Sequence, residues 1–411
     1  MQWWKNSRAW PALLILGTLV VVALGKDFLA NDRPLYCRIG GTVYFPGLRT
    51  LWQDPALPYK QPALDSIQRN FLWRRFPYDA AVFAPVAFAP GELPMSPDTT
   101  VRLALPGAIH PGPGRRFRHW LGTDVDGFDV AAGLIGGARV AMMAGAIAMG
   151  IAFLIGVTLG AIAGYWGDDR LRMHRGQMWL ILLSLPLAWF YQNAVQQQFT
   201  DTNSIWLRWS IRLVTVFLVL FLAGFLGRLL NRSTFFAKRT VIPADLLIMR
   251  LADVFNAVPI LLVIIAFAAM LQAETQSLWV MIFLIGAFTW PNVALFIRAE
   301  LLRIREMDYI TAAKGMGLPD WRIMVRHGLP NALRATYTTL AMGVAVAILL
   351  EASLSFLGYG DISLHGATWG SLLRNARSNP QLWWISLPPG LAIGLTILAL
   401  NTLGEVLSER R

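Results

Sequence analysis

Long apolar stretches separated by short polar loops run along most of the chain. About 20 apolar residues cross a bilayer core of about 30 Å, and six stretches meet this requirement: 11–28, 139–165, 251–272, 278–298, 334–350 and 383–404. Two further stretches, 177–194 and 211–230, are predicted to span together or not at all, because losing one would invert every later span. The pattern predicts an all-α polytopic membrane protein.

Lys and Arg collect in alternate loops, which predicts the orientation because cytoplasmic loops are enriched in these residues. With the N-terminus inside, the strongly basic loop 298–334 is cytoplasmic, whereas the outside loop 195–206 has no Lys or Arg. Both termini are therefore predicted to be cytoplasmic. The apolar segment 11–25 follows Lys5 and Arg8 and could instead be a signal peptide. No clean small-x-small cleavage site follows it, which favours a retained helix.

The outside segment 29–137 has a different composition from the spans. It is rich in Pro and aromatic residues, and strand-like pieces at 41–45 and 81–88 lie between turn formers. Prolines throughout the segment exclude helices longer than about two turns. We expect a small mixed structure there, with Cys37 as a free, partly buried thiol.

Composition supports a membrane protein and weakens other classes. Charged residues make up 15% of the chain, whereas soluble domains carry about 25%. The net charge of +12 could indicate nucleic-acid binding, but basic cytoplasmic loops explain it more simply. A single cysteine permits no intramolecular disulfide.

One polar cluster could be interpreted as a metal site. His110, His119, Asp124, Asp126 and Asp129 lie close together in the sequence, and the three Asp residues resemble half of a calcium loop. The remaining ligands and the closing Glu of an EF-hand are missing. Turn formation and helix capping by Asp are therefore the favoured interpretation, with no metal bound.

The chain lacks the motifs of an enzyme that acts alone. It has no phosphate-binding P-loop, no G-x-S-x-G and no H-E-x-x-H, so we expect neither ATP hydrolysis nor a cofactor in this chain. A secondary transporter would need carboxylates inside its spans, but Asp253 and Glu351 lie near span ends. A membrane hydrolase is disfavoured because no predicted span contains His.

The loop 299–333 has an order of residues that predicts a compact pair of short helices. Asp308 can cap the first helix, and Ala312 and Ala313 give it a small face that packs closely. Gly317 permits a left-handed turn that ends this helix, and Pro319 suits the first turn of the next one. We expect a helix–turn–helix at the cytoplasmic surface, basic on its exposed side.

This loop resembles the signature of permease subunits of ATP-binding-cassette (ABC) importers, E-A-A, three residues, Gly, nine residues, then I-x-L-P. The matching residues are Ala312, Ala313, Gly317, Leu329 and Pro330. Thr311 replaces the signature Glu, and His327 replaces the Ile. In that family the loop carries the coupling helix, which docks on the ATPase subunit.

Other segments resemble the second permease subunit of dipeptide, oligopeptide and nickel importers. The stretch 119–129 resembles H-x-L-G-T-D-x-x-G-x-D, and residues 351–358 and 369–370 resemble the loop before the last helix. Residues 30–35 and 44–46 resemble the enlarged outer segment of subunits that import microcin-like and longer peptides. Residues 168–245 have no recognised counterpart.

The resemblance implies a type I permease fold with six core transmembrane helices and, in this chain, two inserted ones. The parts are 1–28 (N-terminus and first helix), 29–137 (outer segment), 138–166 (second helix), 167–246 (insertion) and 247–411 (core with coupling loop 299–333). Implied ATPase-coupling residues are Tyr309, Thr311, Ala312, Ala313, Gly315, Gly317, Leu329 and Pro330. Implied outer motif residues are Gly122, Thr123, Asp124, Gly127, Asp129, Glu351 and Gly358.

The resemblance also implies the partners. A homologous permease would complete a heterodimer, two ABC ATPase domains would bind ATP and Mg, and an extracytoplasmic protein would deliver the substrate. Import of peptides is the expected function. A nickel chelate is the alternative substrate, and a secondary transporter is the alternative mechanism.

Overall fold

The computed structural model describes most of the chain. The described residues are 9–49, 59, 61–69, 73–91, 101–110, 117–168, 172–198, 205–230, 239–270, 277–359 and 367–408. They form two compact units, one from residues 1–158 and 252–411 and the other from residues 159–251.

Long apolar helices build the first unit. They are α1 (Ala9–Leu24), α5 (Val130–Ala161), α9 (Ile260–Met270), α10 (Leu278–Ile304), α13 (Leu329–Phe356) and α15 (Trp383–Ser408). A π-helical turn, Ile162–Trp166, continues α5. Helix α13 is central, because its buried residues pack against α5, α9 and α10 in one cluster and against α5 and α15 in another.

Glycines allow these helices to approach closely. A Cβ atom on Gly286 of α10 would lie 2.6 Å from the carbonyl oxygen of Ala148 on α5. A Cβ atom on Gly145 of α5 would lie 2.9 Å from the side chain of Ile348 on α13. Small residues at helix contacts are typical of membrane proteins, where packing rather than the hydrophobic effect holds helices together.

Four helices in the described part of the chain are long and apolar enough to cross a membrane. They are Val130–Trp166, Leu278–Ile304, Asp320–Phe356 and Trp383–Ser408. Ala9–Leu24 and Val214–Gly227 are apolar but shorter. Four predicted spans, 139–165, 278–298, 334–350 and 383–404, lie within these four helices, although α5 begins at Val130 and not near residue 139. The predicted span 11–28 corresponds to the shorter helix Ala9–Leu24.

The third core span is not the continuous helix that the sequence predicts for 251–272. Helix α8 (Ala244–Ala257) and the first part of α9 meet at an angle of 82°. The break lies at Val258 and Pro259. A residue before proline is driven away from the helical conformation, which accounts for the bend. The pair counts as a fifth span only if it crosses as a broken helix.

The outer segment is a mixed structure of short elements, as predicted. Strands β1 (Tyr36–Ile39), β2 (Thr42–Tyr44) and β3 (Ala80–Val82) form an antiparallel sheet in the order β2-β1-β3. Strands β4 (Ala108–Ile109) and β5 (Arg118–His119) form a second pair, and the helices are α2 (Lys26–Leu29), α3 (Pro46–Arg49) and α4 (Pro62–Arg69). Cys37 is free and fully buried, and burial raises the pKa of its thiol to about 11.

Three short helices lie near the ends of α13. Helix α11 (Asp308–Gly315), helix α12 (Asp320–Ile323) and a π-helical turn, Met324–Gly328, connect α10 to α13. Helix α14 (Trp369–Ala376) precedes α15. The loop predicted at 299–333 is therefore shorter than expected, since α10 extends to Ile304 and α13 starts at Leu329.

The second unit contains a helical hairpin. Strand β6 (Arg172–His174) leads into α6 (Arg175–Gln198), and α7 (Ile205–Leu230) leads back to β7 (Arg239–Val241). The two strands pair antiparallel, with Met173 opposite Thr240. Helix α6 contains Pro186.

Candidate coupling surface and outer cluster

Helix α11 has one buried and one exposed face. Ile310 and Ala313 are buried beneath it, whereas Thr311, Ala312 and Gly315 are exposed. The prediction that both alanines pack closely is wrong for Ala312, which is exposed. At 100° per residue, positions three apart share a helix face, and positions one apart do not.

The turn after α11 forms as the sequence predicts. Gly317 has φ +78°, and its N–H donates to the carbonyl oxygen of Lys314 at 2.9 Å. The N–H of Leu318 donates to the carbonyl oxygen of Ala313. Pro319 takes the N-cap position of α12. Asp308 lies in the first turn of α11 and makes no capping hydrogen bond, so its expected capping role is wrong.

The exposed side of this segment carries four large apolar residues. Tyr309, Met316, Trp321 and Val325 are 40%, 75%, 56% and 50% exposed. We call these four residues the coupling surface. Single exposed apolar residues are ordinary. Four of them in the 17-residue segment 309–325 indicate a surface that another protein covers.

Charges around the coupling surface are of both signs. Arg322 and Arg326 are exposed, and so are Asp308 and Asp320. The guanidinium of Arg322 lies 5.4 Å from the ring centre of Trp321. The exposed side, expected to be basic, therefore carries exposed acidic residues as well.

The start of α13 joins this segment to the span. Leu329 and Pro330 open the helix, and Pro330 stands in its first turn, where a missing N–H costs nothing. The side-chain amide of Asn331 donates to the hydroxyl of Tyr309 at 3.2 Å and to the carbonyl oxygen of His327 at 2.9 Å. These hydrogen bonds connect the start of α13 to α11 and to the π-helical turn.

At the other end of the spans, the predicted outer motif residues form a second site, which we call the outer cluster. It consists of Gly122, Thr123, Asp124, Gly127, Asp129, Glu351 and Gly358, together with helix α14.

Asp124 is fully buried and accepts three hydrogen bonds. One carboxylate oxygen accepts from the N–H groups of Asp126 and Phe128, at 3.0 and 2.9 Å. The other accepts from the amide of Asn375 in α14, at 2.7 Å. Burial raises the pKa of Asp124 above its ordinary value, and the hydrogen bonds oppose this shift. Asp124 thus joins the loop before α5 to α14.

Gly122, Thr123 and Gly127 shape the same loop. Gly122 and Gly127 have φ +74° and +92°, and a Cβ atom on Gly122 would lie 2.2 Å from the carbonyl oxygen of Ala104. The hydroxyl of Thr123 donates to the carbonyl oxygen of Val101 at 2.6 Å. Trp384 of α15 donates through Nε1 to the carbonyl oxygen of Thr123 at 3.4 Å.

Asp129 caps α5 and orders a pair of histidines. One of its carboxylate oxygens accepts from the N–H of Ala132 at 2.7 Å, and the other lies 2.8 Å from Nδ1 of His119. Nε2 of His119 lies 3.2 Å from Nδ1 of His110. Among the described residues, no group of three His, Cys, Asp or Glu side chains could hold a metal ion. Asp124 and Asp129 instead form a turn and a helix cap.

Helix α14 packs against both α5 and α13. Trp369 donates through Nε1 to the carbonyl oxygen of Leu134 at 3.0 Å. A Cβ atom on Gly370 would lie 2.1 Å from the carbonyl oxygen of Ala352. Glu351 is buried and accepts from the hydroxyl of Ser355 at 2.8 Å. Gly358, with φ +98°, turns the chain where α13 ends.

Residues far apart in the sequence therefore meet in the outer cluster, which joins the N-terminal ends of α5 and α15 to the C-terminal end of α13. Its seven motif residues are predicted from local motifs, which do not predict the contacts between them. Asn375 and Trp384 are not predicted, because neither belongs to a local pattern that indicates a contact with residues 123 and 124. The coupling residues also lie together, at the opposite end of α13.

Comparison with known proteins identifies a family for part of the chain. Residues 233–410 match the family described as binding-protein-dependent transport system inner membrane component. This match includes the coupling surface and α14. It leaves out the outer segment, α5 and most of the hairpin.

Two relatives are similar over nearly the whole of this chain, and a third is similar over less than half of it. The inner membrane ABC transporter permease protein YejE of Escherichia coli is 25% identical over 411 residues, which cover 98% of this chain and 93% of the relative. The peptidoglycan transport system permease protein YejE of Agrobacterium fabrum is 25% identical over 426 residues, covering 99% and 91%. A putative peptide transport system permease protein of Brucella suis is 39% identical over 189 residues, covering 46% of this chain and 61% of the relative.

Proposed function

We propose that this chain is a membrane-spanning permease subunit of an ATP-binding-cassette importer and forms half of the path by which peptides cross the inner membrane. Permeases of this family work with an ATPase and with a substrate-binding protein. In our proposal, a homologous permease forms the other half of the path as a heterodimer. Two ABC ATPase domains bind ATP and Mg at the cytoplasmic side, and no cofactor binds to this chain.

The coupling surface is the observation that carries the proposal. Its exposed apolar residues suit a groove on a separate protein, and the buried Ile310 and Ala313 fix α11 on the permease. Nucleotide can shift the permease between two states only through a difference in affinity for them. An ATPase that holds α11 differently in its two states would supply that difference, and Asn331 would transmit it to α13.

Peptides are the substrate that the relatives' names support. Relatives in Brucella are named as putative peptide permeases, and the relative in Agrobacterium is named for peptidoglycan transport. The enlarged outer segment supports longer or modified peptides rather than dipeptides within this class. Selection would rest mainly with the binding protein, as it does in importers that receive their substrate from one.

The proposed orientation places the coupling surface in the cytoplasm. The loops at the α11 end of the spans are rich in Lys and Arg, and such loops stay on the cytoplasmic side. Both termini then lie inside, and the outer cluster faces the binding protein.

Gly315→Arg tests the coupling surface. Gly315 lies at the end of α11 with open space around it and without a positive φ, so Arg adds bulk at the surface with little backbone strain. We expect normal membrane levels, loss of ATPase binding and at least a tenfold fall in ATP-dependent peptide uptake. Gly315→Ala is the matched control and should retain uptake. Normal uptake by Gly315→Arg would refute the assignment of this surface.

A further inference from the structure

One charged residue lies within the long apolar helix α5. Arg139 is the only Lys, Arg, Asp or Glu of the span Val130–Trp166. The span has 37 residues and extends about 55 Å at about 1.5 Å per residue, whereas the bilayer core is about 30 Å thick. In the proposed orientation, Arg139 therefore lies near the outer edge of this core. An ionisable residue within a span is costly to keep there and usually marks a functional site.

The carboxylate of Asp27, which follows α1, holds Arg139 in position. Nη1 of Arg139 donates to Oδ2 of Asp27 at 2.9 Å, and among the described residues Asp27 is the only ion-pair partner of Arg139. Asp27 is itself held, because the side-chain amide of Asn31 donates to its carbonyl oxygen at 3.1 Å. The side chain of Asp27 is 12% exposed, whereas that of Arg139 is 41% exposed. The guanidinium is therefore oriented by a buried acid and remains accessible.

Basic groups outnumber acidic groups around this ion pair. Lys26 interacts electrostatically with both Asp27 and Arg139, so two basic side chains share one carboxylate. A guanidinium has five N–H donors in a planar fork that matches the geometry of a carboxylate. The single hydrogen bond to Asp27 leaves donors of Arg139 for a second carboxylate. The arrangement fits an incoming anion.

Arg139 stands at the outer end of a side of α5 that the neighbouring helices leave uncovered. Helices α10 and α13 approach α5 at Gly156 and at Gly145. Residues that follow Arg139 at spacings of three or four lie on the other side of α5, and each is at least partly exposed: Met143, Ala146, Gly150, Leu154 and Thr158. A path between this permease and a second one could run along this side.

We infer that Arg139 binds the C-terminal carboxylate of the imported peptide at the outer mouth of the path, and that Asp27 positions it. The inference rests on the proposed peptide function and names the group of the substrate that the permease recognises. Peptides with a free C-terminus share this carboxylate whatever their side chains, so one Arg serves many sequences. A lipid phosphate is disfavoured, because a long basic side chain reaches the headgroups without a buried acid to orient it.

Uptake of a peptide acid and of the same peptide as its C-terminal amide tests the inference. The complete transporter, with its ATPases and binding protein, is reconstituted into vesicles at equal protein levels. Arg139→Gln should lower uptake of the acid at least tenfold and uptake of the amide less than twofold, each relative to the wild type. Arg139→Lys keeps the charge without the planar fork and should be intermediate. Arg38→Gln, which removes an exposed Arg of β1, is the matched control and should change neither.

Two further variants separate carboxylate binding from a structural ion pair. Asp27→Asn keeps an acceptor for Arg139 and should retain more uptake of the acid than Arg139→Gln does. The double variant Asp27→Asn with Arg139→Gln leaves no buried charge unpaired, and it should show the same selective loss if Arg139→Gln alone fails to assemble.

Three results would overturn the inference. An equal loss for the acid and the amide would mean that Arg139 only holds α1 to α5 or binds lipid phosphate. Unchanged uptake of both peptides by Arg139→Gln would remove any role in recognition, and an equal loss of acid uptake in Asp27→Asn and Arg139→Gln would make the ion pair structural. A wild type that imports neither peptide would refute the proposed function together with this inference, whereas the first three results refute the inference alone.

Discussion

Replacing Asp124 by alanine should loosen the whole outer cluster. The change removes the acceptor for the N–H groups of Asp126 and Phe128 and for the amide of Asn375. Hydrogen bonds to a charged group contribute about 1.5–3 kcal/mol each, and donors left without a partner in a buried site add to the cost. Because neighbouring effects are not additive, we expect a total loss of about 3–5 kcal/mol.

Thermal unfolding of the purified transporter, followed by tryptophan fluorescence, measures this loss. The apparent melting temperature should fall by about 5 °C or more. Asp126→Ala is the matched control, because Asp126 is exposed in the same loop and surface changes usually stay within about 0.5 kcal/mol. Asp124→Asn keeps an acceptor for the turn and should lie between the two.

Equal melting temperatures for Asp124→Ala and Asp126→Ala would refute the reasoning. They would mean that the buried carboxylate does not join the loop to α14.

Two further predictions concern the same cluster. Burial raises the pKa of Asp124, so its carboxyl group binds a proton more tightly in the folded state than in the unfolded state. The contribution of Asp124 to stability therefore grows as the pH falls, and it is lost as the pH rises through the raised pKa. The melting temperature of the wild type relative to Asp124→Asn should therefore increase from neutral to mildly acidic pH, and a constant difference would contradict this sign. Gly370→Ala should destabilise the protein by about 1–3 kcal/mol, because the added Cβ atom would meet the carbonyl oxygen of Ala352. Gly390→Ala, whose added Cβ atom would have nothing within 4 Å, should not destabilise it. Indistinguishable unfolding curves for the two variants would contradict the close packing of α14 against α13.

The coupling segment could be predicted in detail because its interactions are local. The left-handed Gly317 and the Pro319 that follows it act within a few residues, so sequence order is enough to place the turn. At Asp308 the error concerns the N-cap of α11, which is Met307. At Ala312 the error concerns which face of an eight-residue helix is buried. That depends on α10 and α13, which the local pattern does not describe.

The outer cluster could be predicted only in part because its contacts are long-range. The hydrogen bond between Asp124 and Asn375 joins residues 251 positions apart. Helix α5 begins at Val130, before the predicted span 139–165, and its first turns contain Gly133, Gly136 and Gly137. In the structure these glycines are helical, and Gly133 and Gly137 lie against Leu372 and Trp369. Tertiary contact outweighs the low helix propensity of glycine there.

The bend between α8 and α9 had a local signal that hydropathy alone overlooks. Pro259 interrupts an apolar run that otherwise has the length of a span. Proline within a predicted membrane helix is often tolerated, so its presence did not decide between a kink and a break.

Affinity purification of this chain from its native membrane in mild detergent, followed by mass spectrometry, tests the central claim most directly. We predict that a second permease and one or two ATPase chains with phosphate-binding P-loops accompany it in stoichiometric amounts, and that Gly315→Arg loses the ATPases but keeps the permease. A chain that purifies without any ATPase, even after cross-linking from Gly315→Cys, would contradict the claim that α11 couples this permease to ATP.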